Sequence, residues 1–360
     1  MILRKKSCNN LIKYEMISAI NIKIQNCVVH KIGNKLRDES VNLSNSCLND
    51  IISIQEILID YFLSRFVTDE YFQLFHDSDL GLNEVYTFVS KIFNNPEDIY
   101  VQSVNLAKHL YNQSTHPKIK GGEFYVVYFK DCIIDSDTVD AIGLFKSENK
   151  DTFLKVLQQN GNFNLASERG INIKKLDKGC LIFNKEKENG YIVAVVDNTN
   201  KGVEAQYWID DFLHVRPRKD EYSNTQNVMS MAKSFVTKEL AKEYDMPRAD
   251  QIELLNKSLD FFKSKETFNL NDFAKEVIAK PEVIKKFQQY KQEYEETNDI
   301  AIDNQFAISD AARKKQQRSY KRVIHLDKKI QIIIDGNSDN VEHGKDARGN
   351  YYKVYYNEEE

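Results

Sequence analysis

Apolar residues in the first 220 positions are spaced first as in a strand, then as in helices, and then again as in strands. Isoleucines alternate with polar residues within 16–32, which predicts a half-buried strand. Ser46 can cap a helix, and apolar residues recur every three or four positions in 82–93 and about 98–112. We therefore expect one strand followed by three helices, with Pro96 separating the last two.

Four short runs rich in β-branched and aromatic residues follow these helices. They occupy 123–129, 139–145, 180–183 and 191–196. Most of the connections between them are too short to contain a crossover helix, so the runs predict a mainly antiparallel sheet. Together with the helices before them, they predict an α+β domain over residues 1–220.

Residues 221–360 return to helical spacing before ending in strands. Pro247 suits the first turn of a helix, and further helical runs occupy 273–278 and 282–294. Short apolar runs then follow at 323–326, 330–334 and 351–356. The predicted fold class is α+β: N-terminal helices packed on a mainly antiparallel sheet, followed by a helical region and a C-terminal β-hairpin-like segment. The predicted domains are 1–220 and 221–360.

Composition indicates a compact protein and restricts how it can contact nucleic acid. Hydrophobic residues make up 41% of the 360 residues, which is enough for a packed core. The formal net charge is −4, so contact with nucleic acid must come from a local patch and not from the field of the whole protein. The five cysteines form no Cys-x-x-Cys pair, and we find no signal peptide or membrane-spanning window. These features predict a soluble, cytoplasmic protein.

One dense basic cluster occurs in this acidic chain. Its members are Arg313, Lys314, Lys315, Arg318, Lys321 and Arg322. On a helix, all but Arg313 fall within a sector of about 120°, with Tyr320 on the opposite side. A row of cations backed by an apolar face suits contact with a phosphate backbone, and Lys328 would lie at its margin. The alternative is the solvated side of an ordinary surface helix.

The sequence contains no motif of a known cofactor or catalytic site. Phosphate-loop, dinucleotide, HExxH and Gly-x-Ser-x-Gly motifs are absent, and the histidines are not at metal-ligand spacing, so we predict no cofactor and no metal. Asp140 with Glu148 and Lys150 would suit a magnesium-dependent nuclease, but both carboxylates fall on one predicted strand, so an upstream residue, Asp131, Asp135 or Asp137, would have to serve instead of Asp140. Lys118 and Lys120 precede a Gly-Gly pair, and we interpret that segment as a turn into the sheet in preference to a phosphate site.

Several segments resemble a known family. They read AKHLY at 107–111, HPKIKGGE at 116–123, VDAIGLFKSE at 139–148 and LDKGCLIFN at 176–184. With VVHKIGN at 28–34 and LDKK at 326–329, they are similar to the bacterial nucleoid-associated protein family (YejK/NdpA-like), in order and over nearly the whole chain. The resemblance implies a cytoplasmic, DNA-binding protein of the nucleoid, with a role in chromosome organisation and no agreed enzymatic activity.

The main hypothesis is a non-enzymatic nucleoid-associated protein that binds double-stranded DNA through phosphate contacts with little sequence specificity. The basic cluster and Lys328 would make about five to seven contacts, which predict a log–log salt slope of roughly −4 to −6. One alternative is a protein-interaction adaptor that a DNA-bound partner recruits to the nucleoid. The other is a metal-dependent nuclease or phosphodiesterase. RNA, other nucleoid proteins and a second copy of the chain are further predicted partners, and a membrane is not.

Overall fold

The structure, a computed structural model, describes residues 22–199, 207–244, 246–320, 323–327, 329–333, 341–356 and 358. By its internal contacts the chain divides into two compact units, Met1–Arg218 and Lys219–Glu360, called here the first and the second unit. The predicted domains, 1–220 and 221–360, stay a prediction, because compactness does not show that either part folds alone.

The first unit is built around one large sheet. Its strands are β1 (Lys23–Ile32), β2 (Phe72–Leu74), β3 (Gly122–Ile134), β4 (Asp137–Ser147), β5 (Asp151–Gln159), β6 (Asn162–Gly170), β7 (Lys178–Phe183), β8 (Ile192–Asp197) and β9 (Val215–Pro217). Seven of them form a sheet in the order β1-β3-β4-β7-β8-β2-β9, and each neighbouring pair is antiparallel. The predicted mainly antiparallel sheet is therefore confirmed.

Helices cover both faces of this sheet. They are α1 (Gln55–Leu63), α2 (Glu84–Asn94) and α3 (Ile99–Gln113). Along β3, Val126 and Tyr128 join the apolar core that contains α2 and α3, whereas Val127 and Phe129 join the core that contains α1. Because successive side chains of a strand point to opposite faces, both faces of the sheet are buried at this point.

The start of the first predicted helix is wrong. The sequence suggested a cap at Ser46, but α1 begins at Gln55. The residues between them bond to the sheet, since Leu48 N donates to Cys27 O at 2.8 Å. Backbone pairing with the edge strand β1 takes the place of the hydrogen bonds that a helix would have formed.

A hairpin that the sequence did not predict connects β4 to the following loop. Its strands, β5 and β6, pair with each other in a separate two-stranded sheet. Leu154, Val156, Phe163 and Leu165 lie on the same face of this hairpin, and each is between 63% and 75% exposed. The hairpin is therefore not part of either apolar core of the first unit.

The second unit is mainly helical. Its elements are α4 (Glu221–Ser234), α5 (Ala241–Glu243), α6 (Arg248–Ser264), β10 (Thr267–Asn269), α7 (Leu270–Phe273), α8 (Pro281–Asn298), β11 (Gln305–Ala307), α9 (Asp310–Gln317), β12 (Val323–Leu326), β13 (Ile330–Ile333), β14 (Val341–Asp346) and β15 (Gly349–Val354). β12 pairs with β13 and β14 with β15. The predicted C-terminal β-hairpin-like segment and the α+β fold class are confirmed. In the part of the chain that the structure describes, no helix is long and apolar enough to cross a membrane.

Candidate nucleic-acid interface

Helix α9 carries the first part of the predicted basic cluster. The Ser309 hydroxyl caps this helix by accepting a hydrogen bond from Ala312 N at 3.3 Å. Asp310 lies in its first turn, and Lys314 and Lys315 lie in its last. This order of charges is favourable to the helix dipole, so the local sequence itself stabilises α9.

The helix is shorter than the predicted one. It ends at Gln317, with Arg318 as its C-cap, so the expected row of cations on one helical face ends at Arg318. Lys321, Arg322 and Lys328 lie outside the described residues, and their roles stay predictions.

Contacts with α4 and its neighbourhood anchor both ends of α9. Ser309 N donates to Thr225 Oγ1 at 3.0 Å before the helix, and the Tyr320 hydroxyl donates to Met229 O at 2.7 Å after it. Ala312 and Tyr320 are buried. The outward-facing cations are therefore presented on a fixed backbone, with Tyr320 on the buried side.

Two cations of the cluster are paired with the carboxylate of Asp310. Arg313 Nη2 and Nε lie 2.8 and 3.1 Å from its Oδ1, and Lys314 Nζ lies 3.3 Å from its Oδ2. The hydrogen bond from Arg313 holds the pKa of Asp310 below its ordinary value. The side chain of Arg313 is 14% exposed, whereas that of Lys314 is 62% exposed. Arg313 therefore lies at the edge of the cationic surface, and Lys314 within it.

Lys315 and Arg318 are both exposed and complete this surface. Lys315 Nζ lies 5.7 Å from the centre of the Tyr222 ring, within the range of a cation–π contact. We call Lys314, Lys315 and Arg318, with Arg313 at the edge, the basic patch. A helix of eight residues is about 12 Å long, and one DNA strand carries a phosphate every ~3.4 Å of helix axis. The basic patch can therefore meet about three or four phosphates.

The residues of the nuclease hypothesis do not come together. Asp140, near the start of β4, lies 2.7 Å from Lys130 Nζ. Glu148 follows the other end of β4, which puts about 26 Å of strand between the two carboxylates. Lys150 pairs with Glu123 at 2.5 Å. Among the described residues, no group of three or more His, Cys, Asp or Glu side chains could hold a metal ion.

Two buried lysines of the first unit are a feature that sequence reasoning missed. Lys146 Nζ lies 2.9 Å from Glu148 Oε1, and Lys178 Nζ lies 2.6 Å from Asp197 Oδ2. Both lysine side chains are fully buried, and the ring centre of Tyr207 is 5.4 and 5.1 Å from their ammonium groups. Burial lowers the pKa of Lys146. The available sequence signal was weak: each lysine interrupts or borders an apolar strand.

Comparison with known proteins gives one family. The chain matches none of the curated proteins. It matches the family described as nucleoid-associated protein YejK over residues 28–357, a range that begins within β1 and includes the other strands of the large sheet, α9 and the C-terminal hairpins. Because this match spans nearly all of the 360 residues, the chain belongs to the nucleoid-associated protein YejK family.

Proposed function

We propose that this protein binds double-stranded DNA at the nucleoid through phosphate contacts, with little sequence specificity and without enzymatic activity of its own. The basic patch carries the proposal, because it presents three exposed cations on an anchored backbone. Membership of a nucleoid-associated family supports the location. Contacts with phosphate position a protein on DNA but carry no sequence information, which is the reason to expect weak specificity.

Salt dependence follows from the number of phosphates that the basic patch can meet. Each neutralised phosphate of duplex DNA contributes about −0.9 to the log–log salt slope. Three or four contacts therefore give a slope of about −3 to −4. If Lys321, Arg322 and Lys328 also touch DNA, the slope reaches the roughly −4 to −6 expected from the sequence. The measured slope therefore indicates how many cations of the predicted cluster contact phosphates.

Titration of the protein against a labelled duplex at several salt concentrations tests the proposal. The decisive variant is Lys314→Glu/Lys315→Glu/Arg318→Glu, which reverses the exposed cations of the basic patch. We expect its affinity at moderate salt to fall at least tenfold and its salt slope to flatten by about 3.

The matched control is Lys263→Glu/Lys275→Glu/Lys285→Glu, which makes the same change in net charge at exposed lysines of other helical segments of the second unit. We expect this control to bind within about twofold of the wild type, since distant charges are screened beyond roughly 10 Å. Wild-type binding that does not change with salt would refute the proposal. Equal losses in the two triple variants would refute the role of the basic patch.

The adaptor hypothesis remains the second candidate, and the same assay separates it. An adaptor would leave naked DNA unshifted yet would be retained by a nucleoid protein that is itself bound to DNA. The separation of Asp140 and Glu148 along β4 gives the nuclease hypothesis less support than the other two. RNA binding, contacts with other nucleoid proteins and homo-oligomer formation stay predictions.

A further inference from the structure

A cavity of about 470 Å³ opens on the surface of the first unit. Its walls come from loops that are distant in sequence: Arg65 follows α1, Lys120 precedes β3, Asn149 follows β4, Lys175 precedes β7 and Thr199 follows β8. This volume lies within the range of about 300–1,000 Å³ that is usual for small-molecule sites. The turn that the sequence offered as a weak phosphate site, Lys118–Lys120, is one of these walls.

Two carboxylates on the described walls of this cavity already have hydrogen-bond donors within the protein. Asp177 Oδ2 accepts hydrogen bonds from the backbone N–H groups of Glu148 and Asn149 at 2.6 and 2.9 Å, and its Oδ1 accepts from Asn149 Nδ2 at 2.8 Å. Glu148 Oε1 accepts from Lys146 Nζ and from the Tyr207 hydroxyl, each at 2.9 Å. Neither carboxylate therefore needs a cation from the cavity wall.

Two cations of the wall have neutral partners. Lys120 Nζ donates to Asn149 Oδ1 at 2.7 Å, and Arg65 Nη2 donates to the backbone oxygen of Lys174. Within the described residues, no carboxylate is recorded within ion-pair distance of either side chain. Lys175 pairs with Asp151 at 3.0 Å but is 66% exposed. Lys120 and Arg65 therefore line the cavity with neutral partners, beside carboxylates that already accept hydrogen bonds from the protein.

The buried lysines fix two of these walls. Lys146 Nζ donates to the backbone oxygen of Lys120 at 2.7 Å, which holds the Lys118–Lys120 turn against the end of β4. Lys178 Nζ donates to Asp197 Oδ2 and to Thr199 Oγ1, at 2.6 and 2.8 Å, which holds the loop after β8. A binding site gains affinity when its groups are positioned before the ligand arrives, and these contacts supply that positioning.

Close packing of the backbone also requires the glycine that follows the turn. A Cβ atom at Gly122 would lie 1.9 Å from Ser147 O, so no side chain fits there. Gly122 pairs with Ile32 across β1, and its neighbour Glu123 pairs with Ser147 across β4. The end of the turn is therefore fixed in the sheet on both sides, and Lys120 extends from a defined position.

We propose that this cavity binds a phosphate group, with Lys120 and Arg65 as its principal ligands. Several cations on separate walls suit a multivalent oxyanion better than a single carboxylate, and the arginine fork can hold two of its oxygens at once. The phosphate belongs either to a free nucleotide or to DNA. The inference does not rest on the proposed function of the basic patch, since the cavity lies within the first unit and the patch within the second.

Isothermal titration calorimetry on the full chain tests the cavity with three probes: inorganic pyrophosphate, dAMP and a short duplex. Sodium chloride of matched ionic strength serves as the baseline. We expect saturable binding of pyrophosphate at one site per chain, weakened at least tenfold by Lys120→Gln and by Arg65→Gln. The matched control is Lys155→Gln, which removes an exposed cation from β5, and we expect it to bind within about twofold of the wild type. Thermal unfolding of each variant checks that the fold is kept.

The dAMP and duplex arms distinguish the two sources of phosphate. For a free nucleotide, dAMP binds saturably and Lys120→Gln leaves the affinity for duplex unchanged. For DNA, Lys120→Gln weakens duplex binding even when the basic patch has been reversed. The proposal is overturned if neither pyrophosphate nor dAMP binds above the chloride baseline and Lys120→Gln leaves duplex binding unchanged, or if the double variant Lys120→Gln/Arg65→Gln binds pyrophosphate as the wild type does. If the cavity proposal is overturned in this way while the wild type still binds DNA in a salt-dependent manner, the proposed function of the basic patch is left standing.

Discussion

Neutralising Asp310 should strengthen DNA binding, although the substitution lies in the helix that we propose as the interface. Asp310 contacts two cations of the basic patch: it holds Arg313 through two hydrogen bonds and lies 3.3 Å from Lys314 Nζ. Its own side chain is 72% exposed, so it would face a bound phosphate backbone and repel it. Asp310→Asn removes this repulsion and releases two cations at once.

The expected size follows from counterion release. One or two additional phosphate contacts make the log–log salt slope steeper by about 0.9 to 1.8. A fourfold rise in salt, from 50 to 200 mM, therefore reduces the advantage of the variant over the wild type by about 3- to 12-fold. The cost to folding is small. An acidic residue in the first turn of a helix stabilises it by about 0.3–1 kcal/mol, and the Ser309 cap is untouched.

Fluorescence anisotropy with a labelled duplex at 50, 100 and 200 mM salt measures both the affinity and the slope. Asp260→Asn is the control, because it changes the net charge equally at an exposed position of α6. If Asp310→Asn binds no more tightly than the wild type at 50 mM, or if Asp260→Asn gains as much, then the basic patch is not the surface that meets DNA.

Three further predictions concern stability. Lys146→Met should lower the free energy of unfolding, measured by urea denaturation, by about 3–5 kcal/mol, because it leaves Glu148 buried without its cation. The double variant Lys146→Met/Glu148→Gln should recover part of this lost stability. Burial lowers the pKa of His30 to about 4, because the folded protein favours the neutral imidazole. The stability associated with the neutral form is present above pH ~6.5 and is lost as the pH falls from ~6.5 towards ~4. Wild type should therefore lose about 1–2 kcal/mol more than His30→Gln between pH 7 and pH 5 in the same assay. Tyr320→Phe should cost about 0.5–1.5 kcal/mol in thermal or urea unfolding, since Met229 O loses its buried donor; an unchanged midpoint would contradict that assignment.

The sheet was predictable where both of its faces are buried. In the middle of β3 and β4, residues 124–129 and 141–145 are apolar or aromatic apart from Gly143, because both faces of the sheet are covered there, and such runs are visible in the sequence. The β5–β6 hairpin escaped prediction because its apolar residues, such as Leu154 and Phe163, are exposed and alternate with Lys, Gln and Asn. The predicted cap at Ser46 failed for another reason: pairing with the edge of β1 outcompeted a local propensity.

The two kinds of cationic site differ in what the sequence can reveal. The basic patch is contiguous in the chain, so a charge count finds it; the neutralising role of Asp310 needs the geometry of α9. The cavity is assembled from loops that lie far apart in sequence, and Arg65 and Lys120 are individually unremarkable there. A single sequence does not show which distant loops meet in the fold. For this reason the sequence predicts a turn for the Lys118–Lys120 segment.

Four lysines of the described residues fall into two classes with opposite consequences when they are changed. Lys146 and Lys178 are fully buried, cannot reach a ligand, and act by holding carboxylates and loop backbones in place. Lys120 and Lys314 are exposed and contribute little to folding, because ion pairs and hydrogen bonds at the surface are worth about 0–1 kcal/mol. Substitution by Met should therefore destabilise the protein at the first two positions and weaken phosphate or DNA binding, at nearly unchanged stability, at the other two. If Lys146→Met or Lys178→Met were as stable as the wild type, that result would contradict the claim that these two lysines hold the cavity walls in place.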